Sequence, residues 1–227
     1  MREFYLDKTK CAKAWQIGLK RIYDFFGNIL PFQSVTGPLI SYGHLICLGA
    51  EVTFPEDSEP NIKPMFSSID EGIKHLQEKM NVDYSVQPIF KHYYEICSYL
   101  REQFPVQDVP FSGLGAEGPL TSAILMRGYE FIYDICDEPE KAKKFLELLT
   151  DSIVSFYYFI SKINNAPEIN PHGTGLADDF ASLISPDMWP EFVIPYWNRY
   201  FEKLTTGTGK RNLHCENLLP AHLKYLK

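Results

Sequence analysis

Apolar residues recur along this chain at two spacings, one typical of amphipathic helices and one typical of short strands. The helical spacing predicts helices over residues 8–26, 38–48, 69–79 and 87–103, one opening at Pro119, and others over 137–163, 185–204 and 220–226. Short strand-like segments lie between them, at residues 29–32, 51–54, 109–113, 169–176 and 211–214. Prolines 190 and 195 are expected to interrupt the helix over 185–204, because a proline inside a helix removes a backbone donor.

Strands that alternate with helices in this way indicate βαβ units and a parallel sheet. In such folds ligands bind beyond the carboxyl ends of the strands, so the loops that follow strands are where chemistry is expected. The loops at residues 113–118, 172–179 and 214–217 are unusual in composition and follow predicted strands.

The composition narrows the class of protein. Apolar residues make up 45% and charged residues 22% of the 227 residues, as in a folded globular protein. The formal net charge of −7 and the scattered basic residues argue against nucleic acid as a partner. No apolar run approaches the roughly 20 residues that span a bilayer, and the first residues lack a signal-peptide core. The 5 cysteines are widely spaced, which favours reduced thiols. We therefore expect a cytoplasmic enzyme with no membrane partner.

The strongest candidate for metal chemistry is His214-Cys215-Glu216, at the end of a predicted strand. Alternate residues of a strand share a face, so His214 and Glu216 are expected to point the same way and Cys215 the other. If the strand has already given way to a loop, any two of the three side chains can converge. All three are zinc ligands in other proteins. The alternative is an exposed histidine and glutamate beside a packed cysteine.

Carboxylates in the other two loops are candidates for acid–base chemistry. Asp178 and Asp179 follow the strand predicted over residues 169–176, and one of them can enter the ligand site as an acid, a base or an anchor. The plainer explanation for such a pair is an exposed turn or a helix cap. Glu117 precedes the helix that opens at Pro119, where the helix dipole alone favours a negative charge.

Several stretches resemble one known family. They are Leu48–Val52, Gly118–Thr121, Asp137–Lys141, residues 176–188 and residues 191–196. Together they resemble the uroporphyrinogen decarboxylase superfamily, cover most of the chain and follow the family's order. The resemblance implies a (β/α)8 TIM barrel, with residues 1–227 in a single domain. Some members decarboxylate uroporphyrinogen without a cofactor, and others are zinc methyltransferases that move a methyl group to or from a corrinoid protein.

The resemblance disfavours the decarboxylase branch, which belongs to the carboxy-lyases. Those enzymes carry an arginine-rich segment near the N-terminus that this chain lacks. They also have an aspartate where this chain reads Leu39-Ile40-Ser41, and a tyrosine near the position of Leu125. A substrate with many carboxylates also suits an acidic, arginine-poor site badly.

The methyltransferases carry a His-x-Cys zinc motif at the end of a late strand. Here His214 matches the histidine, Glu216 stands in the place of the cysteine, and Cys215 is displaced by one position. The resemblance thus implies zinc held by His214 and Glu216, with Cys215 as a possible substitute. It also implies Asp178 or Asp179 as a substrate-orienting or proton-relaying group and Glu117 at the mouth of the site. The expected partners are a methyl-corrinoid protein and a small-molecule methyl donor or acceptor.

The resemblance also leads to an expectation about how much of the barrel this chain contains. A barrel of this type needs about 250 residues, so the chain is expected to hold about six βα units. It is then expected to lack the N-terminal strand and the last strands of the barrel. One of those last strands carries the family's third zinc ligand. A homo-oligomer or a complementing barrel fragment is then a possible partner. A truncated barrel without catalytic activity is the remaining alternative.

Overall fold

The computed structural model describes residues 2–27, 29–31 and 33–226, which fall into two compact units. The first unit comprises Met1–Gly43, Val52–Asn61 and Asp83–Gly115. The second unit comprises His44–Glu51, Ile62–Val82 and Ala116–Lys227, and it contains every candidate site residue named above.

Helices make up most of the described structure. They are α1 (Arg2–Leu6), α2 (Lys8–Phe26), α3 (Gly43–Cys47), α4 (Ile69–Glu78), α5 (Pro88–Gln103), α6 (Pro119–Arg127), α7 (Glu130–Asp137), α8 (Pro139–Ile163), α9 (Trp189–Phe192) and α10 (Ile194–Leu204). The strands are β1 (Val52–Thr53), β2 (Asn61–Ile62), β3 (Gly173–Ala177) and β4 (Lys210–His214). Short 3-10 segments lie at Tyr84–Val86, Asp179–Leu183, Pro186–Met188 and Leu223–Tyr225.

Most predicted helices are confirmed to within a few residues, including α2, α4, α5, α6 and α8. The predicted break near the two prolines is also confirmed, because α9 ends at Phe192 and α10 begins at Ile194. The helix predicted over residues 220–226 is wrong, since only the 3-10 turn Leu223–Tyr225 forms there.

Two further predictions are wrong. The helix predicted over residues 38–48 shrinks to α3, and residues 109–113 form no regular strand. Instead Ile40 and Leu114 form an isolated parallel bridge, in which the Ile40 N–H donates to the Gly113 carbonyl at 2.7 Å. Backbone groups used in that bridge are not available for a helix before Gly43. Of the strand predicted over 29–32, residues 29–31 form no strand and Phe32 lies outside the described residues.

In the first unit, α2 packs against α5. Asp7 starts α2 by accepting hydrogen bonds from the backbone N–H groups of Thr9 and Lys10, which satisfies two of the free donors of the first turn. The buried cluster between the helices contains Cys11, Ala12, Val35, Ile96, Leu100 and Val109. Its apolar side chains explain the helical stripes seen in the sequence.

In the second unit, the long helix α8 is the central element, and α4, α6, α7 and α10 all pack against it. The contact between α4 and α8 is very close at Gly72, where a Cβ atom would lie only 2.7 Å from the Phe145 ring. Phe145 is fully buried. Nearby, Arg127 and Asp134 form a largely buried ion pair at 2.8 Å that joins α6 to α7.

The strands of the second unit precede most of the candidate residues. β3 and β4 pair in parallel, with Gly173 opposite Lys210 and Ala177 opposite His214. This register brings the carboxyl ends of both strands to one edge, as the sequence predicts. The described strands form two separate two-stranded sheets. The mixed helix and strand architecture is therefore confirmed, and the eight-stranded barrel stays a prediction.

Within residues 2–27, 29–31 and 33–226, no helix is both long and apolar enough to cross a bilayer.

The α4–α8 contact can be tested at Gly72. We expect Gly72→Ala to lower the free energy of unfolding by about 1–3 kcal/mol, because the added methyl group is forced against the Phe145 ring. Gly18, in the middle of α2, is the matched control, since a Cβ there meets nothing within 4 Å. Gly18→Ala should raise stability by about 0.5–1 kcal/mol through helix propensity. Urea denaturation followed by circular dichroism measures both, and an unchanged midpoint for Gly72→Ala would contradict the packing argument.

Candidate functional site

The candidate site lies at the carboxyl ends of β3 and β4. Because Ala177 and His214 are paired in register, the residues that follow each strand emerge side by side. The Asp178 N–H continues the ladder by donating to the His214 carbonyl at 3.0 Å. The Gly118 N–H donates to the Ala177 carbonyl at 2.6 Å, so the segment before α6 also runs along this edge. Three loops of the second unit therefore meet there.

Three side chains converge at this edge, and we call His214, Asp179 and Glu216 the strand-end cluster. The His214 Nε2 atom lies 3.6 Å from Asp179 Oδ1 and 3.8 Å from Glu216 Oε1. The Glu216 N–H donates to Asp179 Oδ1 at 2.8 Å, which holds the two loops together. The side chains of His214 and Glu216 are 65% and 66% exposed, and that of Asp179 is 35% exposed. The cluster is thus open to solvent and to a ligand.

Cys215 lies in a different environment from its two neighbours. Its thiol donates to the Asp178 carbonyl at 3.2 Å and lies 3.9 Å from the Asp179 carbonyl. Burial, together with the nearby carboxylates of Asp178 and Asp179, raises the pKa of the thiol to about 12. Cys215 is thus half-buried and already hydrogen-bonded to the backbone, unlike the exposed side chains of His214 and Glu216.

Asp178 is fully buried and faces the interior of the second unit. Its carboxylate accepts hydrogen bonds from the Thr121 N–H at 2.7 Å and the Leu120 N–H at 3.3 Å. It also accepts one from the Trp197 indole at 2.7 Å. Asp178 therefore caps the first turn of α6 and fastens α10 to it. Burial raises the pKa of the carboxyl to about 6, although these hydrogen bonds act in the opposite direction.

The close approach of Asp178 explains the glycine in the loop before α6. A Cβ atom on Gly118 would lie 2.5 Å from the Asp178 side chain. Glu117, the preceding residue, is half-buried, and its backbone carbonyl accepts a hydrogen bond from Ser122 at 3.1 Å. Its charge contributes to the raised pKa of Tyr157, after the larger effect of burial. Glu117 thus belongs to the surroundings of Tyr157.

The side chains that position the site were not predicted from the sequence. Trp197 and Thr121 hold Asp178 and the start of the Asp179 segment, and Thr121 Oγ1 accepts from the Phe180 N–H at 3.1 Å. Both residues occur in apolar helical stretches, so their spacing indicates only core packing. The sequence does contain one relevant feature, the tryptophan itself, because the indole N–H of a buried tryptophan usually has a hydrogen-bond partner.

The part of the chain that the structure describes holds no ready-made metal site. In those residues no three histidine, cysteine, aspartate or glutamate side chains already surround one point closely enough to hold a metal ion. The roles of His214, Glu216 and Cys215 as ligands, and of Asp178, Asp179 and Glu117 in catalysis, stay predictions.

The buried carboxyl of Asp178 predicts a specific pH dependence. Because its pKa is raised to about 6 in the folded chain, the folded state retains a proton that the unfolded state loses near pH 4. The free energy of unfolding should therefore fall by about 3 kcal/mol from this group as pH rises from about 4 to about 6. Asp178→Asn removes this titrating group. As pH rises from about 4 to about 6, the free energy of unfolding of the wild type should therefore fall relative to that of the variant. Equilibrium urea unfolding at several pH values measures it, and parallel profiles would contradict the assignment.

Comparisons with known proteins now bear on the site. No curated protein shows significant sequence similarity to the chain. Among solved structures, a methyltransferase from Methanosarcina mazei superposes with a TM-score of 0.60 at 14% sequence identity, covering 92% of this chain. At this identity the match concerns the fold alone. The chain spans 57% of the length of that methyltransferase.

The sequence itself matches a family model. The model is described as uroporphyrinogen decarboxylase (URO-D), and it matches residues 40–227, which include β3, β4 and all three loops at their carboxyl ends. The match covers most of the chain and agrees with the motifs found in the sequence. This chain belongs to the uroporphyrinogen decarboxylase family.

Proposed function

We propose that this chain is a zinc-dependent methyltransferase component that moves a methyl group between a corrinoid protein and a small-molecule acceptor. The observation that carries the proposal is the convergence of His214 and Glu216 at the carboxyl end of β4. In the proposed fold, β3 and β4 are neighbouring strands of a (β/α)8 barrel, where ligands bind at this end of the strands. The methyltransferase fold match and the family membership support this branch.

The residues at the edge fit a zinc ion chemically. Imidazole nitrogen and carboxylate oxygen are both common zinc ligands, at about 2.0–2.2 Å. Two donors that share a tetrahedral zinc lie about 3.4 Å apart, and the observed separation of His214 Nε2 and Glu216 Oε1 is 3.8 Å. Both side chains are mostly exposed, so a small rotation closes the difference.

Zinc in such a site supplies Lewis-acid chemistry that lowers the pKa of a thiol or hydroxyl acceptor. His214 would hold the ion through an imidazole nitrogen, and Glu216 would give it a harder ligand than cysteine, which would leave more positive charge for the acceptor. A zinc ion held by His214 and Glu216 would activate the acceptor to take the methyl group from the partner's corrinoid, which would keep the electron pair of the bond that breaks. The acceptor proton passes to solvent, to which the cluster is open.

The remaining candidates have separable roles in this proposal. Asp179 belongs to the strand-end cluster, so it is the aspartate that can touch a ligand. Asp178 acts by holding in place the point where the chain leaves β3. Glu117 lines the mouth near Tyr157. The partner is a methyl-corrinoid protein, which docks over the exposed carboxyl-end edge.

The family name favours a second candidate, decarboxylation of uroporphyrinogen. The charge at the edge opposes it, because Asp179 and Glu216 both lie beside His214 and would repel a substrate that carries many carboxylates. Incubation of the purified chain with uroporphyrinogen distinguishes the two proposed functions. Release of carbon dioxide would support decarboxylation over methyl transfer.

Zinc content is the direct test of the proposed site. We expect about one zinc per purified chain by elemental mass spectrometry, lost in His214→Ala because half of the proposed donor pair is removed. His172→Ala is the matched control, since His172 is an exposed histidine just before β3 and outside the cluster. Zinc retained by His214→Ala, or lost equally from both variants, would contradict the assignment.

A further inference from the structure

The chain that follows the strand-end cluster is fastened to the rest of the second unit through a buried histidine. We call residues 217–226 the exit segment, since they follow β4 and Glu216. We propose that His222 is a positioning residue, which holds the exit segment, and with it Glu216, against the chain that follows β3 only while its imidazole is neutral. This inference adds a residue to the site of the proposed function, but its test needs neither zinc nor methyl transfer.

The exit segment has little apolar anchorage. Its leucines at positions 219, 223 and 226 are 57%, 52% and 40% exposed. His222 is 1% exposed and is the buried side chain among the described residues 217–226. A leucine anchor does not respond to pH, whereas an imidazole changes its charge between about pH 5 and 8. The attachment of the exit segment therefore depends on a group that titrates.

Both ring nitrogens of His222 bind backbone groups. The Nδ1 atom accepts a hydrogen bond from the Leu219 N–H at 2.9 Å, and Nε2 lies 3.2 Å from the Ile184 carbonyl oxygen. Because Nδ1 is the acceptor, the proton of the neutral ring is assigned to Nε2, which donates to Ile184. The two bonds join the exit segment to the chain that follows β3.

Trp189 holds the other side of this junction. Its ring is stacked on the His222 ring, with the centroids 4.6 Å apart and the planes at 20°. Its indole N–H donates to the carbonyls of Ala181 and Ile184, both at 3.2 Å. These contacts fix the far end of the 3-10 segment Asp179–Leu183, whose first residue belongs to the strand-end cluster.

The two loops of the cluster are thus joined at two places. Close to the strands, the Glu216 N–H donates to Asp179 Oδ1 at 2.8 Å. Farther along both loops, His222 joins the exit segment to Ile184. Loss of the second junction leaves Glu216 held from the strand side alone, so its position relative to His214 becomes less fixed.

A second proton on the His222 ring is incompatible with this arrangement. It would place an Nδ1–H group against the Leu219 N–H and put a positive charge where almost no solvent reaches. The face of Trp189 attracts a cation, but it cannot replace the acceptor that the Leu219 N–H loses. The attached state therefore excludes a proton that the released state binds, and a fall in pH favours release.

The carboxylates on the surrounding elements are directed at other basic groups. Those on the neighbouring 3-10 segments and α9 are Asp179, which faces His214, Asp187, which lies 3.6 Å from Lys224, and Glu191, which lies 3.0 Å from Lys143. Within the exit segment itself, the other ionisable side chains are Lys224 and Tyr225. A charge on His222 is not offset by any of these groups.

Hydrogen exchange of the purified full chain, measured by mass spectrometry, tests the inference. Protection of the exit segment is compared at pH 7.5 and pH 5.0 after correction for the intrinsic exchange rate, with the amides of α8 as the reference for global stability. We expect the protection of the exit segment relative to α8 to fall by about 10-fold or more at pH 5.0. The Glu216 amide should lose protection with it.

Three variants separate titration from simple packing. His222→Phe keeps a ring against Trp189 but has no hydrogen bonds, so the exit segment should be poorly protected at both pH values. His222→Gln keeps a donor and an acceptor and does not titrate, so it should stay protected at both. His172→Gln, at an exposed histidine, is the matched control and should follow wild type.

Equal protection of the wild-type exit segment at both pH values would overturn the inference, and so would the same loss at pH 5.0 in His222→Gln. A Glu216 amide that stays protected while the exit segment opens would overturn the positioning role. If His222→Phe also exposes α8, it is unfolded, and wild type with His222→Gln decides. Zinc content is measured separately, so a chain without zinc that releases the exit segment supports this inference and contradicts the proposed function.

Discussion

The hydrogen bonds to the buried carboxylate of Asp178 are the constraint on which the site depends. One residue at the exit of β3 binds the first turn of α6 through Thr121 and α10 through Trp197. A carboxylate at a helix N-terminus satisfies donors that have no partner within the helix and interacts favourably with its dipole. Burying a charge is costly, and the raised pKa of Asp178 records that cost. The same contact fixes the place where the chain leaves the sheet.

The direction of the Asp178 side chain determines where the neighbouring side chains lie. Because its side chain points into the second unit, Asp179 emerges towards solvent and faces His214 across the parallel pair. Gly118 permits this arrangement, since any side chain there would collide with the Asp178 carboxylate. The buried aspartate thus acts as a support, and the chemistry proposed for this edge belongs to the exposed cluster beside it. The two adjacent aspartates have separate structural environments.

The charge of the edge bears on the choice between the two branches of the family. Carboxylates of Asp179 and Glu216 lie beside one imidazole, and the Cys215 thiol is kept protonated nearby. Such an edge attracts a divalent cation and repels a polyanion. In the proposed zinc site, Glu216 is a harder ligand than the cysteine of a His-x-Cys site, and this difference would affect how strongly a bound metal polarises an acceptor.

The sequence by itself determined the family, the long helices and the loops in which the candidates lie. These features depend on local patterns: apolar spacing in α8, prolines between α9 and α10, and polar residues after a strand at His214 and Glu216. It failed over residues 38–48 and 109–113, where Ile40 bonds to the distant Gly113. Only the tertiary structure decided that Asp178 is buried and that Asp179 faces His214. Those facts depend on the register of β3 with β4 and on hydrogen bonds to Thr121 and Trp197, contacts between residues far apart in the chain that no local pattern encodes.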